Sequence, residues 1–382
     1  MSQLRYELTT DKPLRVLTDD GLDADLWNRS LNELQERIGV ENSTWFKAPW
    51  LFTECYMYRR IREALLLCKS KFRFYDAYIE SKKEAYNSTE KTIISLFGGL
   101  CSLNVNNDER NFDELKSKHE NILLVSLWSN KNDLSLSSGQ DNGHKTNNLL
   151  EQLEHLKKYL LVNQTNEIWE HVVSVQKHEG KQLRRFDLIL DNTSMEFIAD
   201  LILSDFLLRN NLFDQVNLHA KSYSWFVSDV TPDDFDFVIE RLQRVNSLFV
   251  NQFLIRLKTY QREKRLNFTT NSFWTSPYSF AEMRRIDESL YEELSKSDLL
   301  LMKGDLNYRK LLGDLDWPHD TPLSVAIQDF NPCSFAALRT LKCDLVANLN
   351  LNDAHLKQVK ENDKNWMISG DYGIIQFLKK EF

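Results

Sequence analysis

The chain has 382 residues, of which 42% are hydrophobic and 27% charged, and a formal net charge of −8. That length leaves room for a sizeable core and two or three domains. The acidic balance, with no run of Lys and Arg to offset it, argues against nucleic acid as a partner. No apolar run reaches membrane-spanning length, so no membrane partner is expected either.

Five cysteines (Cys55, Cys68, Cys101, Cys333, Cys343) are odd in number and form no Cys-x-x-Cys pair. They read as reduced thiols of a cytosolic or nuclear protein. The first residues, from Met1 to Arg5, lack the apolar core of a signal peptide. The sequon Asn87-Ser88-Thr89 therefore carries no weight.

In chain order, helical periodicity comes first. Leu26, Leu31, Leu34 and Ile38 share one face of a helix over 23–38, a second helix follows Pro49 over 51–70, and a third spans 149–162. Two polar stretches between them, 104–111 and 135–148, read as surface loops. Beyond about residue 180 short apolar runs at 187–190, 215–219, 299–303 and 343–349 alternate with helical patterns. That alternation predicts βα units, a mostly parallel sheet covered by helices, and so an α/β fold. The expected division is a helical N-terminal region over 1–180 and an α/β domain over 181–382.

Phe186-Asp187-Leu188-Ile189-Leu190 runs directly into Asp191-Asn192. This order reads as a buried strand ending in a tight turn, at the sheet edge where open α/β folds bind ligands. A carboxylate and an amide oxygen there suit a hard divalent cation. Thr193 and Glu196 also fit a capping box for a helix whose apolar face carries Phe197, Leu201 and Leu208. On this segment alone the structural reading is favoured, with Asp191 and Asn192 forming the turn and Glu196 the cap.

A second apolar segment, Trp225-Phe226-Val227, leads through Ser228 to Asp229 and then to a helix start with Thr231 as N-cap and Pro232 in the first turn. Asp229 suits a turn, but a second carboxylate at the same edge makes an oxygen site with Asp191 and Asn192. The Trp225-Phe226 pair reads as core. The third element ends its strand at Lys303-Gly304 and continues as Asp305-Leu306-Asn307-Tyr308-Arg309-Lys310. Lys303, Arg309 and Lys310 are either phosphate-neutralising cations or a solvated loop. The fourth, Arg339-Thr340-Leu341-Lys342, places two cations three apart ahead of the run 343–349. They form a helix C-terminal charge pair or an anion clamp.

Other chemistries lack support. There is no Gly-x-Gly-x-x-Gly, Walker loop or Gly-x-Ser-x-Gly, and no His-x-x-x-His or His-x-His spacing for zinc.

Together these four motifs resemble the damage-control phosphatases, and most of all the eukaryotic subfamily with a C-terminal Arg-Thr-x-Lys motif, the acidic residue methyltransferase 1-like group. Pro49-Trp50-Leu51-Phe52-Thr53-Glu54-Cys55-Tyr56-Met57-Tyr58-Arg59-Arg60-Ile61 and Leu127-Trp128-Ser129-Asn130-Lys131-Asn132-Asp133-Leu134-Ser135 look like its N-terminal motifs. The likeness covers nearly the whole chain.

It implies an α/β/α sandwich with a helical N-terminal region, and a metal-dependent phosphatase hydrolysing small phosphorylated metabolites, sugar phosphates such as fructose 1-phosphate included. It further implies that Asp191, Asn192 and Asp229 form the catalytic metal site, holding Mn²⁺, Co²⁺, Ni²⁺ or Mg²⁺. Glu196, Asp305, Asn307, Arg309 and Lys342 would line the substrate pocket. Ser194 stands where many members have Gly, a small departure in the turn beside the metal. Direct attack by water and a transient aspartyl phosphate both fit this set. The subfamily's name also raises an S-adenosylmethionine-dependent carboxyl methyltransferase, against which the missing Gly-rich cofactor loop counts. A non-catalytic metabolite-binding protein is the remaining alternative.

Overall fold

The structure, a computed structural model, describes residues 2–68, 71–101, 112–129, 145–177 and 183–380. The polar stretch 104–111, most of 135–148, and the second half of the N-terminal motif at 127–135 lie outside the described residues.

Seven strands form one sheet: β1 (Leu160–Asn163), β2 (Arg185–Ile189), β3 (Gln215–Ala220), β4 (Leu266–Thr270), β5 (Leu299–Lys303), β6 (Phe335–Thr340) and β7 (Gly373–Leu378). Their order is β1-β7-β6-β5-β2-β3-β4, and all neighbours are parallel except β6 and β7. The mostly parallel α/β reading holds. The side-chain period of two assigns the strands' residues to opposite faces. Phe186, Leu188, Leu299 and Leu301 pack into one core. Ile189, Leu300 and Met302 pack into the other.

From β2 the chain builds outward through β3 to β4, then returns to lay β5 on the opposite side of β2. The order therefore reverses between β2 and β5, and ligands bind outside the carboxyl ends at such a switch point. Asp191 leaves β2 there and Gly304 leaves β5 there.

A third core, built from Trp27, Leu31, Leu34, Leu51, Phe52 and Tyr56 among others, takes in Trp225 and Leu306 and so fastens the N-terminal helices over that edge. Trp225 is fully buried, as its core reading expects. Among the described residues no helix is long and apolar enough to cross a membrane, and Cys55, Cys68, Cys333 and Cys343 are free thiols.

Three local expectations need correction. The run 343–349 is not a strand; β6 precedes it, and Arg339 lies within β6. Side chains take the run's backbone carbonyls instead of a ladder: Arg339 donates to those of Cys343 and Leu345, and Gln376 donates to that of Ala347 at 2.7 Å. The helix expected over 149–162 ends early, as Lys145–Lys157, and β1 follows. The helix Met195–Arg209 has no solvated face, since every residue from Met195 to Leu208 is buried. Helices Phe112–Trp128 and Ile79–Cys101 pack over it.

Candidate active site

Asp191 and Asn192 continue past β2, and the segment before helix Pro232–Gln243 folds back against them. An antiparallel bridge pairs Asn192 with Asp229, Val230 N donates to Asp191 O at 2.9 Å, and Thr193 N donates to Ser228 O at 2.8 Å. This bridge brings the two carboxyl groups together from positions far apart in sequence. The expected cap at Thr231 forms as a full capping box, with Asp234 accepting from Thr231 N at 2.9 Å and from its Oγ1 at 2.7 Å. Just before Ser228, Phe226 and Val227 have φ of 42° and 67°. Such values in consecutive non-glycine residues, one of them β-branched, mark a strained turn aimed at the site.

The Thr193–Glu196 capping box does not form. Ser194 takes the N-cap position with φ of 62°, in the region that favours glycine. Glu196 instead turns into the site. Its Oε2 accepts from Asn192 Nδ2 at 3.0 Å, and its Oε1 meets Lys303 Nζ at 2.9 Å. The same amide nitrogen donates to Asp191 Oδ2 at 2.6 Å, while Asn192 Oδ1 accepts from Ser228 Oγ.

Behind Glu196, Lys303 also donates to Asp200 at 2.9 Å, which accepts from Ser126 Oγ at 2.6 Å. Burial would pull the Lys303 ammonium down, but the Asp200 and Glu196 carboxylates outweigh it and raise its pKa. Lys303 thus lines the cavity with its charge already committed to two carboxylates.

A cavity of about 870 Å³ opens over this edge. Asp191, Asn192, Glu196, Asp229, Asp305, Arg309 and Lys342 all line it, and so do Trp50, Glu54, Phe226, Ser228 and Gly304. Asn307 sits beneath, donating to the carbonyls of Lys303 at 2.7 Å and Leu190 at 3.3 Å. Lys310 turns away into the core, where its Nζ donates to the carbonyls of Phe273 and Ser276 at 3.1 and 3.0 Å. Of Lys303, Arg309 and Lys310, Arg309 alone brings a guanidinium fork to the cavity wall. Its Nη1 donates to Glu54 at 2.7 Å and its Nε to Asp314 at 2.9 Å. Asp305 accepts from Arg339 Nε at 2.8 Å and from the Lys342 backbone N at 3.2 Å. Through these bonds Asp305 joins the turn after β5 to the loop after β6.

The chemistry of the two central carboxyls is set by burial. Burial pushes Asp229 up to about 6, with Lys221 and Lys82 opposing it. Asp191 also lies well above its ordinary range, through burial and then the charges of Glu196 and Asp229. Asp229 Oδ2 is buried without a hydrogen bond among the described residues, and the Lys221 ammonium stands 3.5 Å away. A buried, mutually repelling carboxyl pair, with one oxygen left without a hydrogen bond, is what a divalent cation would satisfy. Gly304, with φ of 89°, leaves room for this pair: a Cβ there would lie 2.1 Å from Asp191 Cγ.

No group of three or more His, Cys, Asp or Glu side chains converges as a metal cluster among the described residues. The third protein oxygen available beside the two carboxyls is the Asn192 amide. Six carboxyl groups line the cavity (Glu54, Asp191, Glu196, Asp229, Asp305, Asp344) against three cations (Lys303, Arg309, Lys342). A phosphate would enter such a cavity only with further positive charge. The residues fit a hard divalent cation.

The damage-control phosphatase ARMT1-like domain matches residues 1–355. The chain belongs to that family, one of metabolite damage-control phosphatases that are generally metal-dependent. It is 40% identical over 381 residues to the damage-control phosphatase ARMT1 of Xenopus tropicalis, covering 98% of this chain and 85% of that one. The Danio rerio protein of the same name is 38% identical over 382 residues, covering 99% and 84%. The Homo sapiens one is 36% identical over 380 residues, covering 99% and 85%. A duf89 family protein of Pyrococcus horikoshii gives a distant structural likeness, with 14% identity, a TM-score of 0.47, and 100% of this chain and 95% of that one covered.

Glu54, Ser228, Gly304 and Lys221 were not singled out from the sequence as site residues. Glu54 lies inside the motif that begins at Pro49, so its signal was present, but its meeting with Arg309 spans 255 positions and is tertiary.

Proposed function

We propose that this phosphatase is metal-dependent and acts on small phosphorylated metabolites of the sugar phosphate kind, with Asp191, Asn192 and Asp229 as the protein ligands of a divalent cation. The observation that carries this reading is the pair of buried carboxyl groups meeting at the switch point, one oxygen left without a hydrogen bond. Mn²⁺, Co²⁺, Ni²⁺ and Mg²⁺ all suit oxygen donors. When bound, such a cation supplies charge neutralisation at the phosphoryl oxygens and acidifies water.

The chain's own residues then divide the remaining work. Lys342 and Arg309 hold phosphate oxygens, the electrostatic contribution on which phosphoryl transfer chiefly depends. Glu196, steadied by Lys303 and hydrogen-bonded to Asn192, accepts a proton or a substrate hydroxyl. Asp305 orients substrate while anchored by Arg339. Asn307 serves from below, holding the backbone at the ends of β2 and β5 in place. A cytosolic or nuclear location fits the free thiols.

The test is phosphate release from a panel of sugar phosphates by metal-stripped protein, with each of the four cations added back. Metal-restored release should fall at least about 100-fold in Asp191→Ala and in Asp229→Ala. Full metal-dependent release by either folded variant would refute the site.

A further inference from the structure

We propose that Trp50 and Glu54 form the subsite that receives the leaving group, and that it selects a polyhydroxylated, sugar-like one. This rests on the phosphatase reading above and extends it to the part of the cavity wall that helix Trp50–Leu66 supplies. Helix Trp50–Leu66 turns Leu51, Phe52, Cys55 and Tyr56 into the N-terminal core. Trp50 and Glu54, four apart and so on one face, line the cavity instead.

Trp50 is 71% exposed, an unusual state for the largest aromatic side chain, and no aromatic ring packs on it among the described residues. Glu54 is fixed by its neighbour: Oε2 takes the Arg309 bond at 2.7 Å, and Oε1 has no hydrogen bond among the described residues. The carboxylate side chain keeps 26% exposure. A free carboxylate oxygen repels phosphate but accepts from a hydroxyl, so it suits the neutral end of a substrate. An open indole face beside it suits the C–H face of a sugar ring. With a volume of about 870 Å³ the cavity far exceeds what a phosphate alone would fill.

The measurement is selectivity: kcat/KM for a hexose phosphate divided by kcat/KM for acetyl phosphate, at saturating Mn²⁺. Acetyl phosphate offers neither ring nor hydroxyl. In Trp50→Ala and in Glu54→Gln the ratio should fall about tenfold, mainly through the hexose phosphate KM. Trp50→Phe, which keeps a ring, should recover most of it. A ratio unchanged in both variants, or a larger loss with a nucleoside monophosphate than with the hexose phosphate, would overturn the assignment. Wild-type protein inert toward both substrates would instead sink the phosphatase reading, and the subsite with it.

Discussion

A carboxyl group that is buried beside others like it is charged only at a cost, and the site concentrates that cost in Asp191 and Asp229. Asp229 titrates near 6, above the ordinary value of 3.8, because of burial. Its folded pKa exceeds its unfolded one, so the native state holds the proton more tightly. Stability from this group is therefore greatest at low pH and declines as pH rises from about 4 to about 6. In metal-free protein, the stability difference between wild type and Asp229→Asn should shift against wild type by on the order of 2–3 kcal/mol over that window. Thermal melts of both proteins from pH 4 to 7 check the sign. A difference that moves in favour of wild type as pH rises would contradict a raised Asp229. Divalent cation added above pH 6 should recover the loss, since it binds the ionised native form.

At the scale of elements, the turn between β5 and helix Asp305–Leu311 leaves no room for a side chain beside Asp191, one of the proposed metal ligands. Gly304→Ala would set a methyl group 2.1 Å from the Asp191 carboxyl at a backbone φ of 89°. Either the carboxyl or the turn must move, and a shift of about 1 Å costs about 100-fold in rate. Metal-restored phosphate release should fall by that order while the far-UV circular dichroism stays native. Near-normal turnover would show that the turn gives way without disturbing Asp191.

Legibility in the sequence followed the same elements. β5 was readable as a compact apolar run ending at a turn, and β2 and β3 as short segments with recurring apolar residues between helical patterns. β6 was not: its Phe335-Ala336-Ala337-Leu338-Arg339-Thr340 carries two alanines and a buried arginine. The apolar run 343–349 looked more like a strand, yet its carbonyls are taken by Arg339 and Gln376. Asp191 and Asn192 could be placed at a strand end from local pattern alone. That Asp229 returns to them through a bridge, or that Glu54 reaches Arg309, depends on long-range packing with no local signature.

For the whole molecule, we propose that the division near residue 180 is one of labour rather than of folding. The helical region over 1–180 supplies Trp50 and Glu54 to the cavity, and the region over 181–382 supplies the other five carboxyls, Asp191 and Asp229 among them. The cores cross that line. Ile122, Leu123, Trp128, Ile168 and Val172 from the first region pack in one cluster with Leu188, Leu201, Leu207 and Leu301 from the second. β1 from the first region pairs with β7, so its removal would leave β7 as an open edge. Each fully buried aliphatic side chain uncovered forfeits about 1.5–3 kcal/mol, and a handful of such losses exceeds the net stability of a domain. Residues 181–382 expressed alone should therefore aggregate or lack near-ultraviolet circular dichroism, while the full chain melts in one transition by fluorescence and by far-ultraviolet signal. A soluble, monomeric fragment with its own cooperative melt would show instead that the sheet and the two carboxyls form a folding unit without the helices.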